Sequence, residues 1–130
     1  MNLSHKDCLI LESALSKLLT TLQQNVHSLP NTPAENVMLN ISTVKSARKK
    51  IRLFSQNPQQ QFSTQELKVM YGALRLLLEN VRDFLAASPL TDPDRDKSLE
   101  TQRICGRLLR YFDSLFAQDN IESQKLFGHL

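Results

Sequence analysis

The sequence predicts an all-α protein, an antiparallel up-down-up-down four-helix bundle with a short C-terminal tail. Apolar residues recur at helical spacing in four segments, so each segment is predicted to be an amphipathic helix. Each helix is preceded by a start signal, and the short links between helices favour antiparallel neighbours. We therefore assign residues 1–120 to the bundle and residues 121–130 to an amphipathic C-terminal tail.

The first two predicted helices start at capping boxes and are separated by a proline. Ser4 and Asp7 form the first box, in which each side chain binds a backbone N–H of the first turn. The helix is predicted to end at 29–30, because a residue before proline avoids the α region. Thr32 caps the second helix, and Pro33 fits its first position. The predicted buried stripes are Cys8, Leu11, Leu15, Leu18, Leu19, Leu22 and Val26, then Val37, Ile41, Val44, Ala47, Ile51 and Phe54.

The third and fourth helices have the same construction. Ser63 and Glu66 form a capping box, and the helix is predicted to end at 88–89, where a proline follows serine. In the fourth helix Asp92 caps and Pro93 is expected at the first helical position. The stripe of the third helix is Leu67, Met70, Tyr71, Leu74, Leu77, Leu78, Val81, Phe84 and Leu85, with Lys68, Arg75, Glu79, Arg82 and Asp83 on the other side. That of the fourth is Ile104, Cys105, Leu108, Leu109, Tyr111, Phe112, Leu115 and Phe116.

The composition sets the broad class of the protein. A chain of 130 residues suits one domain, and a hydrophobic fraction of 41% is too high for a disordered chain of this charge. The net charge of +3 permits an anionic partner without requiring one. We see neither a secretion signal nor an apolar stretch long enough to span a membrane, so we expect a cytoplasmic protein without a membrane partner.

We find no residue pattern that predicts catalysis, a metal or a cofactor. His5, His27 and His129 each lack a glutamate three residues earlier, which a di-iron bundle would need. Gly72 and Gly106 stand alone within helices, so no glycine-rich loop is available to bind phosphate. Cys8 and Cys105 are expected to be inert thiols on apolar faces, without the spacing of a zinc or redox motif. We therefore predict that the protein is not an enzyme and needs no cofactor.

Two rows of basic residues form a candidate contact surface for an anionic partner, either nucleic acid or an acidic protein surface. The rows are Lys45, Arg48, Lys49 and Arg52 on the second helix, and Arg103, Arg107 and Arg110 on the fourth. Arg48 lies close to the apolar stripe, so we expect its head to reach outward along its aliphatic stem or to pair with an acid. The alternative is a solvated face, and the two helices are diagonal in an up-down bundle, which separates the rows.

A second set of apolar residues is a candidate protein interface. The third helix carries a thin strip opposite its main stripe, and the tail is also apolar; these residues are Val69, Ala73, Leu76, Leu126, Phe127 and Leu130. The strip is either a docking surface, scattered surface apolar residues, or a seat for the tail of the same chain.

The leading functional hypothesis is a non-enzymatic protein–protein interaction module, whose partner is another protein or a second copy of the chain in a homodimer. The alternative is a small nucleic-acid-associated factor that uses the basic rows of the second and fourth helices. Salt separates the two, because phosphate binding weakens steeply as salt rises.

Overall fold

Four α-helices make up the fold in the computed structural model, which describes residues 1–24 and 34–118 without the side chains of 34–39. The helices are α1 (His5–Gln24), α2 (Ala34–Arg52), α3 (Thr64–Ala87) and α4 (Arg95–Gln118). No strand occurs within these ranges, so the predicted all-α four-helix class is confirmed. The predicted tail and the predicted start of the second helix at Thr32 and Pro33 lie outside the described residues.

Both predicted serine capping boxes are present. The Ser4 Oγ accepts the Asp7 backbone N–H at 3.1 Å, and the Asp7 carboxylate accepts the Ser4 backbone N–H at 3.0 Å. The same reciprocal pair joins Ser63 and Glu66 at 3.1 and 2.8 Å. These bonds satisfy donors that the first turn of a helix leaves unpaired, so local sequence fixes the starts of α1 and α3.

The fourth helix begins two residues later than predicted. The Asp92 side chain accepts the Asp94 backbone N–H at 2.9 Å, and the Asp92 carbonyl accepts the Arg95 N–H at 3.1 Å. These bonds close a turn around Pro93 before regular helix starts at Arg95. Pro93 therefore lies in the turn and does not occupy the first helical position.

Contacts between the helices give the direction of two neighbouring pairs. Ser16 of α1 contacts Arg48 of α2, and Glu12 of α1 contacts Arg52 of α2, so the residue numbers increase in opposite directions along the two helices. Between α3 and α4, the Arg95 guanidinium donates a hydrogen bond of 3.0 Å to the Leu85 carbonyl, and the ring centroids of Tyr71 and Phe116 lie 5.5 Å apart. Each pair is therefore antiparallel, and the up-down-up-down order of all four helices stays a prediction.

The core draws on the predicted stripe of every helix, although Phe84 and Leu85 at the end of the predicted α3 stripe are partly exposed and lie outside it. Its largest fully buried side chains include Phe112, Leu11, Leu15, Ile51, Met70, Leu74 and Leu108. The predicted stripe members Cys8, Leu22, Ile41, Leu67, Tyr71, Val81, Leu109, Tyr111 and Leu115 are partly buried against this core. Val26 and Val37 belong to residues whose side chains are not described.

The predicted outer strip of the third helix is wrong. Val69 and Ala73 are fully buried in the core, and Lys68, predicted on the polar side, is also buried. The reason is that α3 packs against α1, α2 and α4. Three neighbours cover more of its circumference than the single buried stripe that the sequence predicts. Leu76 alone of the strip remains partly exposed. Val69 and Ala73 are therefore core residues and are not available to a partner.

Candidate functional site

The basic row of α2 is divided between internal contacts and solvent. The Arg52 guanidinium forms an ion pair with Glu12 of α1. Arg48 is half-buried, and its guanidinium lies 3.5 Å from the Ser16 hydroxyl, so its head follows the seam between α1 and α2. Lys45 and Lys49 are exposed.

The basic row of α4 is divided in the same way. Arg107 forms an ion pair with Asp7 of α1, whereas Arg103 and Arg110 are exposed. The Arg110 guanidinium lies over Gly106, 3.6 Å from the position that a β-carbon would take there. Within the described residues α2 does not contact α4, so the structure does not bring the two rows together.

Asp7 is a buried carboxylate whose charge is supported on two sides. Burial alone would raise its pKa, but the Ser4 backbone N–H, the Arg107 guanidinium and the Ser4 hydroxyl all bind the charged form. These contacts prevail and hold the pKa of Asp7 below its ordinary value of 3.8. Asp7 therefore stays ionised and links the start of α1 to α4.

Glu66 is likewise a buried carboxylate, and it links the start of α3 to α2. Its side chain accepts bonds from Lys50 and Ser46 of α2, each at 2.7 Å, in addition to closing the capping box with Ser63. Burial works to raise the pKa of Glu66, and these hydrogen bonds with the Lys50 charge outweigh it and lower that pKa below 4.5.

The sequence pattern did not identify Asp7 and Glu66 as buried. A carboxylate in the first turn of a helix normally faces water, and the sequence predicted only a capping role for both residues. The structure gives each a second role, as the acceptor for a cation from another helix. Both carboxylates are therefore occupied by donors of the protein itself.

The two cysteines of the described residues are thiols with raised pKa values. Cys8 and Cys105 are free. Burial raises the pKa of Cys105 to about 11, and burial together with the Asp7 charge raises the pKa of Cys8. Thiolate is therefore scarce at neutral pH. No cluster of three or more metal-ligating side chains occurs among these residues, and none of their helices is long and apolar enough to cross a membrane.

The candidate site is a groove between α1 and α4, with α3 as its floor. Its volume is about 590 Å³. The apolar residues that line it are Leu9, Ile10, Leu77, Val81 and Ile104, and the polar ones are Lys6, Ser13, Lys17, Lys97, Ser98, Glu100 and Thr101. We call this the α1–α4 groove. The signal for it in the sequence is that Leu9 and Ile10 are apolar but lie outside the buried stripe of the first helix.

The side of α3 next to α4 carries a second groove, of about 770 Å³. Leu76, the remaining member of the predicted strip, lines it together with Tyr71 and Asp113. Burial raises the pKa of Tyr71, and its hydrogen bond to Asp113 raises it further. Charges of both signs line this groove: Arg75 and Arg82 beside Glu79, Asp83 and Asp113. The mixture gives it no clear preference for a charged partner.

Comparison with known proteins gives no relative, since no family model, curated protein or solved structure matches the chain.

Proposed function

We propose that the protein is a non-enzymatic interaction module that binds another protein in the α1–α4 groove. The observation that carries the proposal is the exposed apolar surface there: Leu9 is 53% exposed at the edge of a floor made by Leu77 and Ile104. An apolar groove with a polar rim is typical of protein-binding surfaces.

The contacts of the basic rows count against the nucleic-acid alternative. Arg52 and Arg107 bind carboxylates of the same chain, and Arg48 lies along the α1–α2 seam. The other exposed residues of the rows, which form no ion pair with a described carboxylate, are Lys45, Lys49, Arg103 and Arg110, and they are split between two helices that do not touch in the described part of the fold. Phosphate binding needs several cations along one continuous surface.

A cytoplasmic setting belongs to the same proposal. The two cysteines are free thiols, which fits a reducing compartment.

The experiment is affinity capture from the organism that encodes the chain, with and without nuclease, followed by mass spectrometry. Leu9→Glu places a charge in the α1–α4 groove, and Leu99→Glu is the matched control, because Leu99 is 44% exposed on α4 outside that groove. We expect a protein that survives nuclease, is lost with Leu9→Glu and is kept with Leu99→Glu. Loss of every captured protein on nuclease treatment would favour the nucleic-acid alternative, and equal loss with both variants would place binding elsewhere.

A further inference from the structure

The α1–α4 groove runs along α1 from Lys6 to Lys17. Near the start of α1 two ion pairs hold α1 to α4: Asp7 with Arg107, and Lys6 with Glu100 at 2.6 Å. Past these contacts the groove continues to Lys17, and α3 forms its floor with Leu77 and Val81. A segment that lay along it would cover Leu9 and Ile10, which the chain's own described helices leave partly open.

The rim of the α1–α4 groove is positive. Of the described residues that line it, three lysines are cationic and Glu100 alone is anionic, which gives 3 − 1 = +2. Lys6 already binds Glu100 and lowers its pKa. Lys17 and Lys97 lie beyond ion-pair distance of every described carboxylate. The apolar floor therefore has two uncompensated cations beside it.

The walls of the α1–α4 groove favour a helix as its occupant. Both walls are helices, so they offer no strand edge to which an extended peptide could add. A helix satisfies its own backbone groups and can present one apolar face to the floor. From Lys6 to Lys17 the groove follows twelve residues of α1, and the eleven steps between them, at about 1.5 Å each, span about 16 Å, or three helical turns.

We infer that the α1–α4 groove binds an acidic amphipathic helix of about three turns from a partner protein, with its apolar face on Leu9, Ile10 and Val81 and its carboxylates beside Lys17 and Lys97. This inference rests on the proposed function, since it names the partner of the same groove. Binding completes the α1–α4 seam with a fifth helix.

Fluorescence anisotropy on the full chain tests the inference with three labelled model peptides. All three carry the same apolar stripe, and their polar face is glutamate, glutamine or lysine. We expect the glutamate peptide to bind about tenfold more tightly than the glutamine peptide, a difference of about 1.4 kcal/mol, because it can form exposed charge pairs with Lys17 and Lys97. The advantage should shrink as salt rises, and the lysine peptide should bind most weakly.

The second part of the experiment reverses the charge of two lysines at the rim of the α1–α4 groove. Lys17→Glu with Lys97→Glu should transfer the preference to the lysine peptide while the circular dichroism stays that of the parent. Lys45→Glu with Lys49→Glu, on the exposed side of α2, should leave the preference for glutamate unchanged.

Each other outcome overturns a defined part of the account. Equal binding of the glutamate and glutamine peptides would reject the acidic partner and leave groove binding standing. Failure of all three peptides would reject the proposed function as well. A preference that moves with the α2 variant would reject an acidic helix in the α1–α4 groove.

Discussion

At the scale of single residues, Asp7 and Glu66 each cap one helix and bind a cation from another. Asp7 is 2% exposed and Glu66 is 4% exposed, yet every polar side-chain atom buried in the described residues has a hydrogen-bond partner. A buried carboxylate is tolerated when its partners replace water. The position of each helix start relative to its neighbour therefore depends on one ionised side chain.

Removing the Arg107 cation should destabilise the protein more than removing a neighbouring arginine. Arg107→Met leaves the Asp7 carboxylate buried with only Ser4 as partner. Loss of one member of a buried pair costs about 3–5 kcal/mol. Arg107 is half exposed and water can reach the vacated side, so we expect about 1–2 kcal/mol.

Urea unfolding measures this loss, and Arg103→Met is the control, because Arg103 is exposed on the same helix. The control should change the free energy of unfolding by less than about 0.5 kcal/mol. Equal effects of the two substitutions would show that the Asp7 pair does not hold α1 to α4.

Both carboxylates should also make stability fall in acid. Their pKa values in the folded protein lie below 3.8 for Asp7 and 4.5 for Glu66, so the folded state favours the ionised form. The contribution is complete above those ordinary values and is lost as the pH falls through the lower folded values. We expect the melting temperature to drop between about pH 5 and about pH 3.

The double variant Asp7→Asn with Glu66→Gln keeps side-chain oxygen acceptors for the caps and removes the two titrating groups. Its melting temperature should depend less on pH over the same interval. A pH dependence as steep as that of the parent would assign the acid sensitivity to other carboxylates.

At the scale of the helices, α3 packs against the other three and is buried round more of its circumference than the sequence predicts. Local signals predicted where it starts, where it ends and its main stripe, since caps and heptad spacing act within a few residues of one another. They could not predict that Val69 and Ala73 are buried, because that depends on how many neighbours surround the helix. The α1–α4 groove was missed for the same reason: Leu9 and Ile10 are visible in the sequence, but the separation of α1 from α4 is not.

A charge at Val69 tests whether this side of α3 is buried in the core. Val69→Asp puts a carboxylate at a fully buried position, which should cost more than about 3 kcal/mol and abolish cooperative melting. Leu90→Asp is the matched control, because Leu90 is 84% exposed, and its melt should equal that of the parent. A parent-like melt of Val69→Asp would restore the outer strip that the sequence predicted.

At the scale of the whole molecule, self-association remains a proposal. Val69 and Ala73 are used by the chain's own core, so the predicted contacts that remain are Leu76, which is partly exposed, and the tail residues Leu126, Phe127 and Leu130. We expect sedimentation to show a dimer for the full chain and a monomer for a chain that ends at Asn120. A monomer in both forms over a wide concentration range would reject the homodimer.

The most direct test of the proposed function is a ¹H–¹⁵N NMR titration of the full chain with the glutamate peptide. Binding in the α1–α4 groove predicts that the largest shift changes fall on the backbone amides of 9–17, 77–81 and 97–104, the three segments that line it. The amides of 45–49 on the exposed side of α2 should stay unchanged. Changes centred on α2, or on the second groove between α3 and α4, would contradict the account.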